Sequence, residues 1–221
     1  MLSDYLINSK TILIDADDTL WYDNLYYQQL KKKLFDLIPL NSRLDAEKRF
    51  RESITSIGVV AFIEAIKKMA ALYRLEGDGI ISLEEGIAKL RNYPIVLLPY
   101  VSQTLPKLME DKQLILVTVG DFKCQMEKIS RSNLQGYFGD ILIVPQKDDR
   151  TWKKIYDDYD LTIDDVLVIG NSLKSDIYPN IKLGAKTIFL DHRYNAYGHD
   201  MDIDIPICTV NSWKKIFEII E

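Results

Sequence analysis

The chain has 221 residues, 47% of them hydrophobic, with two histidines, two cysteines and a net charge of −5. That length accommodates one core plus an insertion, and the hydrophobic share suits a globular protein with a sizeable interior. Acidic and basic residues are mixed along the chain, without the basic patch or stripe of a nucleic-acid binder, so no nucleic-acid partner is expected. Cys124 and Cys208 have neither metal-ligand nor disulfide spacing. A reducing cytoplasm is therefore the default compartment, and Cys208, in an apolar run, reads as a buried thiol. The start, MLSDYLINSK, lacks a basic segment ahead of a long apolar one. No segment has the length of a membrane span, so no membrane partner is expected.

In chain order, the first clear element is Thr11–Ile14, a short β-branched run that stops at Asp15-Ala16-Asp17-Asp18. About ninety residues follow before the next such run, and residues about 22 to 92 read as helical throughout. Leu30, Leu34, Leu37 and Ile38 mark one apolar face that Pro39 ends. A second pattern runs from Ser42 to near Gly58. A third, with Phe62, Ile66, Met69 and Tyr73, closes at Gly77. Ser82-Leu83-Glu84-Glu85 resembles a capping box that opens a further helix. Trp21 and Tyr22 fall where the chain enters this segment and read as a hinge that borders a substrate pocket, although packing alone accounts for them equally well.

Beyond it, apolar runs recur at Leu114–Val117, Ile141–Val144, Val166–Ile169 and Thr187–Leu190. Runs of near-continuous hydrophobicity are how strands of a parallel sheet covered on both faces read. Helical patterns separate them at Phe122–Ser132, Thr151–Tyr159 and Asp176–Leu183, the last stopping at Gly184. Strand and helix in alternation predict an α/β doubly wound parallel sheet, residues 1–21 and 93–221, carrying an all-helical insertion over 22–92 after its first strand.

In such a sheet ligands bind beyond the carboxyl ends of the strands. The residues following the runs are Asp15, Asp17, Asp18 and Thr19; Thr118 and Gly120; Lys147; and Asn171, Ser172 and Asp176. Asp15, Asp17 and Asp176 would crowd negative charge that a hard divalent cation, Mg²⁺, relieves. Thr118 adds a hydroxyl, the amides around Val119 and Gly120 can face an anion, and Lys147 adds a positive charge. Acids with a metal, opposite a lysine and hydrogen-bond donors, suit a phosphoryl group. Lys153 and Lys154 compete with Lys147 but fall inside the expected helix, where a solvated face is the usual explanation. Asp176 also suits the N-terminal turn of a helix. His192 and His199 lack a partner cluster and read as solvated loop histidines.

These residues carry a resemblance. Asp15-Ala16-Asp17-Asp18-Thr19-Leu20 resembles the DxDxT signature of the haloacid dehalogenase (HAD) superfamily. Thr118, Lys147 and Gly170-Asn171-Ser172-Leu173-Lys174-Ser175-Asp176 resemble its other three motifs in order. The resemblance implies a Rossmann-like core with a helical cap. It also implies a Mg²⁺-dependent phosphatase acting on a small phosphorylated metabolite. In that reading Asp15 is the nucleophile that forms an aspartyl phosphate and Asp17 the general acid and base. Thr118, Val119, Gly120 and Lys147 hold the phosphoryl oxygens, with Lys147 also catalytic. Asp15, Asp17 through its backbone carbonyl, Asn171 and Asp176 hold the metal. The cap is implied to close over the site as a lid. Two positions depart from the pattern. Asp18 stands where Gly is usual, and Asn171 replaces the first acid of the fourth motif, removing a charge. Family dehalogenases generally lack the second aspartate, so Asp17 argues against that reaction. A sugar phosphomutase shares the same core motifs, and a catalytically weak binding protein on the same core is the non-enzyme alternative.

Overall fold

The computed structural model describes residues 1–54, 59–193 and 205–221. Strands β1 (Thr11–Ile14), β2 (Gln113–Val119), β3 (Asp140–Val144), β4 (Val166–Gly170), β5 (Lys186–Leu190) and β6 (Cys208–Val210) form one sheet. Their order is β3-β2-β1-β4-β5-β6, and every neighbouring pair is parallel. The helices in chain order are α1 (Leu2–Ile7), α2 (Asn24–Leu37), α3 (Arg43–Ser53), α4 (Val59–Leu72), α5 (Asp78–Arg91), α6 (Val101–Leu108), α7 (Phe122–Ser132), α8 (Asp149–Asp158), α9 (Tyr178–Leu183) and α10 (Trp213–Ile220). Among the described residues no helix is long and apolar enough to cross a membrane. The chain divides into two compact units, Met1–Tyr22 with Ile95–Glu221, and Asp23–Pro94.

In the first unit the doubly wound sheet is as expected. Side chains alternate between its faces. Ile12 and Ile14 of β1 join Leu105 and Leu108 of α6, Ile129 of α7, and Trp213 and Ile216 of α10. Leu13 points the other way, onto Trp152, Ile155 and Tyr156 of α8. Burial on both faces explains why each strand reads as an unbroken apolar run. The chain winds outward from β1 through β2 and β3, then resumes on the other side at β4. β1 and β4 therefore flank the point where the winding reverses, which is where such sheets bind ligands.

β6 was not expected from the sequence. It is three residues long, too short for a period to register, and its pairing with β5 defines it. The fourth-motif segment also differs from expectation. Leu173–Ile177 forms a π-helical turn that runs directly into α9 at Tyr178, so the helical segment opens three residues earlier than expected and Asp176 lies in its first turn.

The second unit is helical. Leu30 and Leu34 of α2 are buried, as is Ile38 just beyond it, but Leu37 of the expected apolar face is 37% exposed. Its side chain instead lies along α5, where a Cβ on Gly79 would come within 2.6 Å of it; a Cβ on Gly86 would come within 2.7 Å of Leu30. The two glycines, seven apart, let α5 approach α2 closely, which offsets their poor helix propensity. Phe50 and Phe62 pack edge to face, and Phe35 and Tyr27 extend that row. Ser82 does not open a helix. α5 starts at Asp78 after Gly77, whose φ of +69° breaks the chain, and Ser82 accepts a hydrogen bond from Lys33 instead. The expected end of the second pattern at Gly58 lies outside the described residues.

α10 ties the last helix of the chain to the loop that follows β1. Trp213, fully buried, donates its indole N–H to the Thr19 carbonyl at 2.7 Å. Replacing it with Phe keeps most of the apolar volume but leaves that buried carbonyl without its donor. Trp213→Phe should destabilise the fold by about 1–3 kcal/mol, read as a lower midpoint in urea unfolding; an unchanged midpoint would remove this tie from the account.

Candidate active site

The loop after β1 folds back on itself. Asp15 extends the ladder by donating its N–H to the Ile169 carbonyl at 3.0 Å, and the Asp18 N–H reaches the Trp21 carbonyl at 2.8 Å. Closing that turn requires Asp18 at φ +55°, a left-handed conformation in which Gly is at ease and Asp tolerated. The requirement accounts for the glycine usual at this position. Trp21 pairs with Leu97, and Tyr22 donates to the Val96 carbonyl. The strand leaving the loop and the strand returning at Val96–Leu98 thus run antiparallel beside it.

Asp15 and Asp176, from the ends of β1 and β4, meet across one ammonium. Lys147 Nζ donates to Asp15 Oδ1 at 2.5 Å and to Asp176 Oδ1 at 2.6 Å. The Lys147 and Asp176 side chains are each 2% exposed. Burial pushes the Asp15 carboxyl up to about 6, with the Lys147 charge pulling against it and the Asp176 charge adding to it. Burial works to lower the Lys147 ammonium, but the two carboxylates outweigh it and hold it above its ordinary value. Lys147 is therefore the lysine that reaches the site. Lys154 pairs with Asp158 on the surface, and Lys153 lines an open cleft with Tyr156, Leu161 and Leu183.

Around this trio the remaining donors are ordered. Thr19, fully buried, donates to Asp15 Oδ2 at 2.8 Å and stands 3.3 Å from Asn171 Oδ1. Asp176 Oδ2 accepts the Ser172 N–H at 3.0 Å. Gly170 makes the approach possible, because a Cβ there would lie 2.5 Å from Asp176 Cβ, Cγ and Oδ2.

Asp17 occupies a second cluster. Its Oδ1 accepts from Trp21 Nε1 at 2.8 Å and Lys128 Nζ at 2.6 Å. Its Oδ2 accepts from Gln125 Nε2 at 2.9 Å and from the same Lys128 at 2.5 Å. Gln125 Nε2 also lies 3.0 Å from Thr118 Oγ1 and 2.7 Å from the Val119 carbonyl. The sequence reading missed Gln125 and Lys128. The available signal was a glutamine on the inward face of α7, in phase with the buried Ile129.

Three expectations are corrected. The three carboxylates do not stand in unrelieved repulsion, since Lys147 and Lys128 each neutralise part of the cluster. The Gly120 amide does not face an anion, because it donates to the Val144 carbonyl at 3.3 Å, and Val119 turns its carbonyl to Gln125. His192 is not solvated. It is 8% exposed, and its Nε2 lies 2.6 Å from the Asp18 carbonyl. Burial lowers its pKa below the ordinary value, so near neutral pH a neutral imidazole donates Nε2–H to that carbonyl. His199 lies outside the described residues.

No protein-family model and no curated protein sequence matches the chain. Solved structures do. A haloacid dehalogenase-like family hydrolase from Xanthomonas campestris aligns over 96% of both chains with a TM-score of 0.77 and 24% identity. The chain has the HAD-like hydrolase fold. YfnB of Bacillus subtilis, assigned as a HAD hydrolase and bound to magnesium, matches at TM-score 0.66 and 19% identity over 96% of this chain and 99% of its own. A Haemophilus somnus protein predicted to be a phosphoglycolate phosphatase gives 0.64 and 17% over 97% and 99%. Haloacid dehalogenases share this HAD-like fold too.

The approach of Asp176 to β4 supplies a test. Gly170→Ala should destabilise the protein by about 1–3 kcal/mol through forced displacement of that carboxylate. Gly136→Ala, where an added Cβ meets nothing within 4 Å, should stay within about 0.5 kcal/mol. Equal effects of the two in thermal unfolding would refute the close approach.

Proposed function

We propose that this HAD-fold protein is a phosphatase that hydrolyses a small phosphate monoester through an aspartyl phosphate on Asp15. The observation that carries the reading is the second carboxylate, Asp17, two residues after Asp15 and fixed on the same loop by three donors. Dehalogenation has no need of such an acid, because halide leaves without a proton.

In the first step an Asp15 oxygen attacks phosphorus, the P–O ester bond breaks, and Asp17 gives its proton to the departing alkoxide. In the second, water attacks phosphorus, Asp17 takes its proton, and the bond to Asp15 breaks to release inorganic phosphate. Lys147 has three N–H donors. Two go to Asp15 and Asp176, and in this reading the third serves a phosphoryl oxygen. Thr118 sits at the neighbouring strand end with its hydroxyl oxygen facing the Gln125 amide, which leaves its O–H for the same group. Preorganised donors of this kind stabilise developing charge without reorganising.

The donor chemistry fits Mg²⁺. Asp15 Oδ2 and Asn171 Oδ1 come together at the Thr19 hydroxyl, oxygen donors of the hard kind that Mg²⁺ takes. Asp15, Asn171, Asp176 and the Asp17 carbonyl would hold the ion, which when bound neutralises charge on the phosphoryl oxygens. Support for a small substrate comes from the phosphoglycolate phosphatase assignment among the structural relatives.

Two experiments test this. Asp15→Asn should lower phosphate release from a panel of small phosphate esters by about three orders of magnitude or more, while 2-haloacids should give no halide with the unaltered protein. Near-normal phosphate release by the variant, or halide release by the parent, would overturn the assignment. Asn171→Asp should lower the Mg²⁺ concentration for half-maximal activity by about tenfold, since it adds a charged ligand; an unchanged concentration would place residue 171 away from the ion.

A further inference from the structure

The phosphatase reading gives Asp17 a proton to carry, yet nothing in it explains how that carboxylate is aimed. Gln125 and Lys128 lie three apart on α7, on the face that carries the buried Ile129. Neither belongs to the four motifs. Together with the Trp21 indole they make four contacts to Asp17, two on each oxygen. An ionised carboxylate has about four lone-pair sites, and with donors on both oxygens its rotation about the side chain is blocked from both sides; the proton it carries takes the place of one of these contacts.

The glutamine's own geometry shows what it is committed to. Its Nε2 carries two hydrogens and faces the Asp17 carboxylate, the Thr118 hydroxyl and the Val119 carbonyl. Carboxylate and carbonyl oxygens only accept, so the amide cannot be reversed without setting oxygen against oxygen. The consequence is an orphan. Gln125 is 3% exposed, and among the described residues its Oε1 is buried with no hydrogen-bond partner. A buried acceptor left unmet is costly, and such exceptions call for an explanation. Here the nitrogen end is held in place at the expense of the oxygen end. A Cβ on Gly120 would come within 3.0 Å of this side chain, so the loop after β2 also packs tightly on the amide.

Lys128 contributes differently. Its ammonium touches both carboxylate oxygens. When one oxygen takes up the proton that Asp17 delivers, the ammonium keeps its hold through the other. An arrangement with one donor on one oxygen would lose its grip at that moment.

We propose that Gln125 and Lys128 are positioning residues that aim Asp17 for proton transfer in both half-reactions. The proposal rests on the phosphatase reading, and the test separates the two. Two esters are compared with the full chain: an alkyl phosphate, whose leaving group needs a proton, and 2,4-dinitrophenyl phosphate, whose leaving group does not. Asp17→Asn should slow the first step for the alkyl ester by about a hundredfold or more and barely affect it for the dinitrophenyl ester, measured in single-turnover experiments. Lys128→Met and Gln125→Leu should show the same selectivity at about tenfold or more, with KM little changed. Each should add less than about twofold in the Asp17→Asn background, because residues acting through one group are non-additive. Lys128→Arg should recover most of the alkyl-ester rate. Lys128→Gln gives the same readout if the methionine variant does not fold. If Asp17→Asn slows both esters equally, the acid role of Asp17 fails and takes the proposal with it. If Asp17→Asn discriminates while the α7 variants slow both esters equally, or multiply the Asp17→Asn loss, the phosphatase reading stands and the positioning role is overturned.

Discussion

One buried ammonium joins the ends of two strands. Lys147 Nζ lies between Asp15 and Asp176, and removing three charges from water costs several kcal/mol per ion unless each is paired and hydrogen-bonded. The surrounding structure meets that condition at every point. Parallel pairing of β1 with β4 sets the two carboxylates side by side. The missing side chain at Gly170 lets Asp176 in. Thr19 and the Ser172 amide take the oxygens that Lys147 does not. Loss of Lys147 would leave two carboxylates unpaired in the interior, whereas loss of one carboxylate leaves a neutral ion pair, so the lysine is the member on which the arrangement depends.

How much of this could be read from the chain depends on where the determining contacts lie. The sheet was legible because its strands are buried on both faces, which turns a tertiary fact into a local run of apolar residues. Helix α7 was legible end to end for a similar reason, its amphipathic period being closed by polar caps. Ser82 misled because a capping box is a local preference, and the break at Gly77 had already started α5 one turn earlier. β6 exists only through its neighbour β5, and three residues carry no period. Leu37 read as core because it is apolar and in phase, whereas the close approach of α5 at Gly79 holds it at the edge.

The site divides along the same line. Asp15, Thr118, Lys147 and Asp176 could be found because each follows a strand, and strand ends of a parallel sheet share one rim. Gln125 and Lys128 reach that rim sideways, from the second turn of a helix, so spacing from a strand end gave no hint of them. His192 was misread because its contacts come from distant parts of the chain, among them the Tyr22 ring, packed edge to face. Another is a backbone carbonyl, at a residue 174 positions away, and a carbonyl leaves no mark in a sequence. The same blindness applies to Trp213 and the carbonyl of Thr19.

Charge accounting gives Asn171 a physical meaning. Asp15, Asp176 and Lys147 sum to −1, and Asp17 with Lys128 sums to zero. An aspartate at 171 would bring the first group to −2, favouring a divalent cation but opposing the approach of a phosphate dianion. With the amide, attraction for the cation is weaker and repulsion of the substrate is smaller. The neutral Asp17–Lys128 pair adds to neither effect. Through Gln125 the pair reaches Thr118, whose oxygen faces that amide and whose O–H remains for a phosphoryl oxygen. The Gln125 amide faces the acid that protonates the leaving group, the hydroxyl that holds the phosphoryl group and the Val119 carbonyl with two hydrogens for three acceptors, so a shift in one of the three changes what the others receive.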